Sequence, residues 1–141
     1  MLDDEPFFLE LMEMALKLHF PDSTVVTFTN SHEAFAELMK ESTDLFTTDW
    51  NHVGISCDEM LRRLAERKVR YPVFVISGVG DLSVKRHVEK FADRGLNVCY
   101  LLKVGEDTLS DFLREMTLRL GLLNPARPDN QHERGDGEID R

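Results

Sequence analysis

The sequence predicts an α/β domain in which parallel strands are covered by helices on both faces. Three observations carry that prediction. Apolar residues at helical spacing alternate with short β-branched or aromatic runs along most of the chain. The 141 residues, 42% hydrophobic and 30% charged, suit one buried core followed by a tail. Finally, Asp3, Asp4, Asp49, Ser77 and Lys103 each stand where a strand-forming run ends. That is the edge at which open α/β sheets hold their ligands.

Each element has a local cause. A first helix over Pro6–His19 is expected because proline suits the first turn, and the preceding acids favour the positive end. Phe8, Leu11, Met12, Ala15 and Leu18 trace its expected inward stripe, and Pro21 prevents continuation. Residues 24–28 read as a strand. Asn30 with Glu33 three positions on has the spacing of a capping box that opens a helix through Lys40. A strand over 45–48 ends at Asp49, and a loop containing Gly54 leads to a helix over 58–66 with Leu61 and Leu64 inward. Residues 71–76 form the most apolar strand and end at Ser77-Gly78. A helix over 81–93 can be closed by Gly95 in a left-handed conformation. A strand over 98–102 ends at Lys103. The last helix, over 107–120, carries Leu109, Phe112, Leu113, Met116 and Leu120 and is expected to stop at Gly121. Five β-α units result.

Composition excludes several function classes. A formal charge of −9 would repel a phosphate backbone, so no nucleic-acid partner is expected. No apolar run approaches the ~18 residues of a membrane span, and the N-terminus lacks the basic and apolar regions of a secretory signal, so a cytoplasmic location without membrane contact is expected. Cys57 and Cys99 lack Cys-x-x-Cys spacing and are expected as free thiols. Residues 124–141 turn polar with Ile139 as the sole large aliphatic, which predicts a disordered tail after a domain spanning 1–123.

The strand-end residues have a common chemistry. Three carboxylates in one partly desolvated pocket would repel one another, and a hard divalent ion that takes oxygen ligands, Mg²⁺ before the others, is the natural counter-charge. Asp3, Asp4 and Asp49 are its expected ligands. A phosphoryl oxygen on the same ion would let Asp49 attack phosphorus in line, with Lys103 neutralising the remaining oxygens and the Ser77 hydroxyl donating to one of them. Gly78 leaves its backbone approachable. Taken singly, each residue has a plainer use: acids at a helix start, a loop cap, a turn, a solvated lysine. Their shared placement favours the phosphoacceptor site. His52 lies beside it in the sequence but is expected to be a loop residue, and the other histidines are scattered.

The order of these motifs, from residue 2 to about residue 122, resembles a response-regulator receiver domain. Asp3-Asp4-Glu5-Pro6 resembles the acidic pair before the first helix, Asp49 the phosphoacceptor, Ser77-Gly78 the switch hydroxyl with its small neighbour, and Tyr100-Leu101-Leu102-Lys103 the switch aromatic and the lysine. The resemblance implies a flavodoxin-like doubly wound sheet in the strand order 2-1-3-4-5. It also implies Mg²⁺ held by Asp3, Asp4, Asp49 and the backbone carbonyl of Asn51, with the Trp50 and Gly78 backbones touching the phosphoryl group. A histidine kinase or phosphotransfer protein would be the donor. Output would run through protein contact on the face of the fourth helix, fifth strand and fifth helix, homodimerisation included, without multiple turnover as an enzyme.

The chain departs from the family pattern in places. Val104 stands where proline usually follows the lysine, and Val53 and Cys57 replace the proline and glycine that shape the loop after the phosphoacceptor. These differences motivate an alternative, a pseudo-receiver acting as a phosphorylation-independent interaction module. A small Mg²⁺-dependent phosphatase ranks third, because Asn51 occupies the position where the Asp-x-Asp spacing would place a second acid. Only Met1 and Leu2 precede the acidic pair, so the first strand is expected to be truncated. A start lying upstream is the first explanation, and a strand borrowed from a neighbouring molecule the second.

Overall fold

Apolar residues buried on both sides of one central strand set the architecture. The protein, here as a computed structural model, is described over residues 1–40, 42–78, 82–103 and 107–123. In chain order it forms α1 (Pro6–His19), α2 (Ser31–Leu38), β1 (Phe46–Thr48), α3 (Cys57–Glu66), β2 (Val73–Ser77), α4 (Leu82–Asp93), β3 (Val98–Leu102) and α5 (Thr108–Leu123). The strands pair in parallel in the order β1-β2-β3, with Phe46 opposite Val73, Val73 opposite Val98 and Ser77 opposite Leu102.

Every residue of β2 is buried, and its side chains alternate between two cores. Val73 and Val75 join Met60, Leu61 and Leu64 of α3 with Val88 and Phe91 of α4. Phe74 and Ile76 join Met12 and Leu16 of α1 with Phe112 and Met116 of α5. A strand covered on both faces has no solvent side, which is why this stretch reads as a continuous apolar run. The Phe74 and Phe112 rings meet edge to face at 5.2 Å, a geometry worth about 0.5–1.5 kcal/mol beyond the area it buries.

Local signals fix most element ends. The Asn30 side chain caps α2 by accepting from the His32 amide at 2.8 Å. Ser56 caps α3 by accepting from the Glu59 amide at 3.2 Å, which starts that helix one residue before the expected 58. Gly95 adopts φ +96° and closes the turn after α4 as expected. Gly121 does not stop α5, which continues to Leu123. A mid-helix glycine costs only about 1 kcal/mol, less than the packing that holds the helix to the sheet. The expected stripe of α1 is also corrected: Leu9, Met12 and Leu16 are buried, whereas Phe7, Leu11, Met14 and Leu18 face solvent.

The largest difference from expectation lies at the start of the sheet. Residues 24–27 form no strand, and Leu2 makes isolated parallel bridges to Phe28 on one side and Thr48 on the other. Pairing there is confined to the carboxyl ends: the Phe28 amide donates to the Met1 carbonyl at 2.8 Å and the Asp49 amide to the Leu2 carbonyl at 2.9 Å. The first strand, expected to be truncated, and the expected second strand are single-residue bridges beside a three-stranded ladder. The expected disordered tail, residues 124–141, lies outside the described residues. Among the described residues no helix is long and apolar enough to cross a membrane, and Cys57 and Cys99 are free thiols.

Candidate functional site

Parallel pairing brings the ends of all these segments to one edge. The Leu2 amide donates to the Thr47 carbonyl at 2.8 Å, the Asp49 amide to the Leu2 carbonyl at 2.9 Å, and the Asp3 amide to the Phe28 carbonyl at 3.1 Å. Those bonds place Asp3 beside Asp49. On the other side the Lys103 amide donates to the Ser77 carbonyl at 2.7 Å, so Ser77 lies on the strand between Asp49 and Lys103.

Carboxylate oxygens of Asp3, Asp4 and Asp49 all come within 4.8 Å of one another, with Asp3 and Asp49 buried and Asp4 exposed. Lys103 Nζ donates to Asp3 Oδ2 at 2.9 Å and to Glu5 Oε1 at 2.8 Å, and sits 4.2 Å from the centre of the Phe8 ring. Its side chain is only 9% exposed. Burial alone would lower the Lys103 pKa, but the Glu5 and Asp3 carboxylates outweigh it and raise it. Burial pushes the Asp49 carboxyl up to about 6, and the Asp3 charge adds to the rise. Lys103 and the backbone amides of Trp50 and Asn51 oppose it. Asp3 is raised chiefly by burial as well, although its Oδ1 accepts from the Glu5 amide at 2.9 Å.

A set of oxygen-only donors with excess negative charge fits a hard divalent cation better than a softer metal. One lysine does not neutralise four acids, counting Glu5. Mg²⁺ is the ion such a pocket suits, and its charge would offset the burial and the Asp3 repulsion that raise the Asp49 pKa.

The loop after Asp49 is anchored to the start of α2. Val53 bridges Asn30 in parallel, and its carbonyl accepts from both the Ser31 amide at 3.0 Å and the Ser31 hydroxyl at 2.9 Å. Gly54 follows with φ +105°, and a Cβ there would stand 2.3 Å from Ser31 Oγ. Gly54→Ala is therefore expected to cost about 1–3 kcal/mol through backbone strain and loss of the Ser31 anchor. An unchanged urea midpoint would show that the loop path is not set here. Trp50 meets the His87 ring edge on at 5.7 Å, and His87 contacts Asp58. Both ring nitrogens of His52 are buried without a partner among the described residues, and burial lowers its pKa.

Most residues singled out in the sequence occupy the edge. Ser77 is fully buried, Asn51 and Gly78 are exposed, and a Cβ at Gly78 would touch nothing. Tyr100 is half-buried, packed against the core shared by α3 and α4. Val104 lies outside the described residues. Cys57 is buried at the first position of α3, where burial raises its thiol pKa. The sequence reading gave no site role to Phe8 and read Glu5 only as part of the acidic run. Their three-residue separation, which puts both on one side of the first turn of α1, was the available signal.

The sequence matches the response regulator receiver domain family over residues 1–108. No curated protein matches it significantly. Among solved structures, it is similar to a CheY-like response regulator receiver domain protein from Methanospirillum hungatei JF-1, with a TM-score of 0.72 at 17% identity over 88% of this chain and 93% of that one. A receiver domain protein from Clostridium thermocellum gives 0.70 at 21% identity over 87% and 93%. The BeF3-activated N-terminal receiver domain of Klebsiella pneumoniae RstA gives 0.68 at 20% identity over 84% and 94%. These likenesses show the α/β parallel-sheet fold of receivers. With more than half of its length matched and an acidic cluster at the carboxyl edge of its sheet, the chain belongs to the response regulator receiver domain family.

Proposed function

We propose that the protein accepts a phosphoryl group on Asp49 from a partner histidine kinase or phosphotransfer protein and signals by protein contact. The observation that carries this is the convergence of Asp3, Asp4 and Asp49 within 4.8 Å beside the nearly buried ammonium of Lys103. An Asp49 carboxylate oxygen attacks phosphorus, the P–N bond of the donor phosphohistidine breaks, and its electron pair stays on the imidazole nitrogen, which takes up a proton. Asp3, Asp4, Asp49 and the Asn51 carbonyl would hold Mg²⁺. The bound ion would supply charge neutralisation for the transferring phosphoryl oxygens. Lys103 turns from Asp3 and Glu5 toward those oxygens, and the Ser77 hydroxyl and the backbones of Trp50 and Gly78 supply donors around them.

Contacts made only by the phosphorylated state then shift the population toward a form in which Ser77 and Tyr100 have moved inward. The face of α4, β3 and α5 is the proposed output. Each of those elements leaves a large aliphatic exposed, Leu82, Leu102 and Leu118 respectively, as a contact surface for a target or a second copy needs. This reading places the protein in the cytoplasm, consumes one phosphoryl group per Asp49, and gives no multiple turnover on phosphate esters.

A second reading, the phosphorylation-independent interaction module, is favoured by Lys103 being held by two carboxylates already. Trp50, directly after Asp49, separates the two. Titration with Mg²⁺ and then beryllofluoride, a mimic of the aspartyl phosphate, is expected to change its fluorescence saturably. The same titration of folded protein without any response would favour the interaction module.

A further inference from the structure

The outer side of α1 is apolar as well as the inner. Phe7, Leu11, Met14 and Leu18 are 77%, 44%, 63% and 82% exposed, and they make up four of the nine large hydrophobics that face solvent among the described residues. Their spacing of four, three and four residues keeps them within about 60° of the helix circumference, opposite the buried Leu9, Met12 and Leu16. A repeat of that kind is the seam along which one helix packs on another. It lies on a different element from Leu82, Leu102 and Leu118 of the face proposed for output.

One edge of this stripe is charged, and it complements itself. Glu10 and Lys17 are both exposed and flank the stripe on the same side. Lys17 Nζ reaches Glu13 of its own helix at 3.6 Å, a surface pair of little strength that a better-placed carboxylate can replace. Two copies of α1 lying antiparallel about a two-fold axis between Leu11 and Met14 would set Phe7 against Leu18 of the second copy, Leu11 against its Met14, and Glu10 against its Lys17. Each contact is then made twice, as a two-fold interface requires. The same arrangement opposes the two helix dipoles. A parallel pairing would instead hold Glu10 level with Glu10 and Lys17 level with Lys17. The charges therefore select a second copy of the chain, running the other way, as the occupant.

We propose that α1 pairs antiparallel with α1 of a second copy of this chain, through Phe7, Leu11, Met14 and Leu18 and two reciprocal contacts between Glu10 and Lys17. The seam from Phe7 to Leu18 is about 17 Å long. A helix pair of that length buries less than the ~1,200 Å² of stable complexes, so the dimer is weak and forms as concentration rises. It needs neither metal nor phosphoryl group, and it stands apart from the chemistry at Asp49.

Sedimentation equilibrium of the 141-residue chain from micromolar to millimolar concentration, at low salt and without Mg²⁺ or phosphodonor, is expected to show a reversible equilibrium of monomer and dimer. Met14→Glu, exposed at the middle of the seam, should weaken association at least about tenfold by placing a charge in the apolar contact. Lys17→Glu should weaken it too, and Glu10→Lys/Lys17→Glu should restore it, because the exchange rebuilds both contacts in the antiparallel register alone. Leu82→Glu, on α4, should leave it unchanged. Circular dichroism checks that each variant is folded. A monomer throughout the range would overturn the proposal and leave the stripe to a helix of another protein. Association lost in Leu82→Glu but kept in Met14→Glu would overturn it by moving the dimer to the other face, and failure of the charge exchange to rescue would overturn the antiparallel register. Phosphoryl uptake on Asp49 is measured separately, so none of these failures touches the phosphoacceptor reading.

Discussion

Asp49→Asn is expected to abolish phosphoryl uptake and to make the metal-free fold more stable. The first effect follows from removing the nucleophile: a carboxamide oxygen has no charge to direct at phosphorus, so labelling by a phosphodonor should fall to background. The second follows from the Asp49 pKa of about 6, against 3.8 for an unperturbed aspartate. Because the folded state holds the proton more tightly, the Asp49 term favours folding least once both states are ionised. Below about pH 4 both states are protonated and the group contributes nothing. From there stability is lost as pH rises, until the full penalty of about 3 kcal/mol is reached above pH 6. The stabilisation by asparagine should therefore be absent at pH 3.5, grow between pH 4 and 6 and level off above. Urea melts of both proteins without divalent ions test this. A difference independent of pH would show that burial and the Asp3 charge do not raise the Asp49 pKa in the folded state.

Removing the lysine should act in the opposite direction. Lys103→Met keeps an unbranched side chain of similar length but deletes the cation that Asp3 and Glu5 share and that lies over the Phe8 ring. Asp3 and Asp49 would then remain buried with no compensating charge, a change that costs about 3–5 kcal/mol when a buried pair is broken from one side. Millimolar Mg²⁺ should recover much of that loss, because the ion supplies the missing positive charge to the same carboxylates. Wild-type protein should gain less from the ion. Thermal midpoints of both proteins with and without Mg²⁺ make the comparison. Equal midpoints in its absence would mean that solvent already screens the acids.

Much of this site was legible because parallel strands deliver chemistry to one edge. β2 showed itself as an unbroken apolar run, α3 through Leu61 and Leu64, and the turn after α4 through Gly95. Asp3, Asp49, Ser77 and Lys103 could then be placed without any contact being known. What escaped was decided by packing. On α1 the sequence offers two apolar stripes, and periodicity alone cannot say which turns inward; the sheet selected Leu9, Met12 and Leu16. Residues 24–27 have strand composition but join no ladder among the described residues. Glu5 and Phe8 look like helix-start and core residues until Lys103, nearly a hundred positions away, is brought against them.

Leu2 is a single bridged residue, and that has a dynamic consequence. Asp49, Ser77 and Lys103 stand on or beside a continuous ladder, whereas Asp3 and Asp4 hang from a segment tied by a few hydrogen bonds. Such a segment belongs to the low-stability end of the spectrum of local openings. The Lys103 bonds to Asp3 and Glu5 fasten it to the ladder in the resting molecule. Transfer of the ammonium to a phosphoryl group would undo that fastening and leave the metal as the clasp between a rigid half and a fraying one. Occupancy by ion and phosphate would then be sensed as loss or gain of order at the amino end of α1, where Glu5 and Phe8 meet the residue that follows β3.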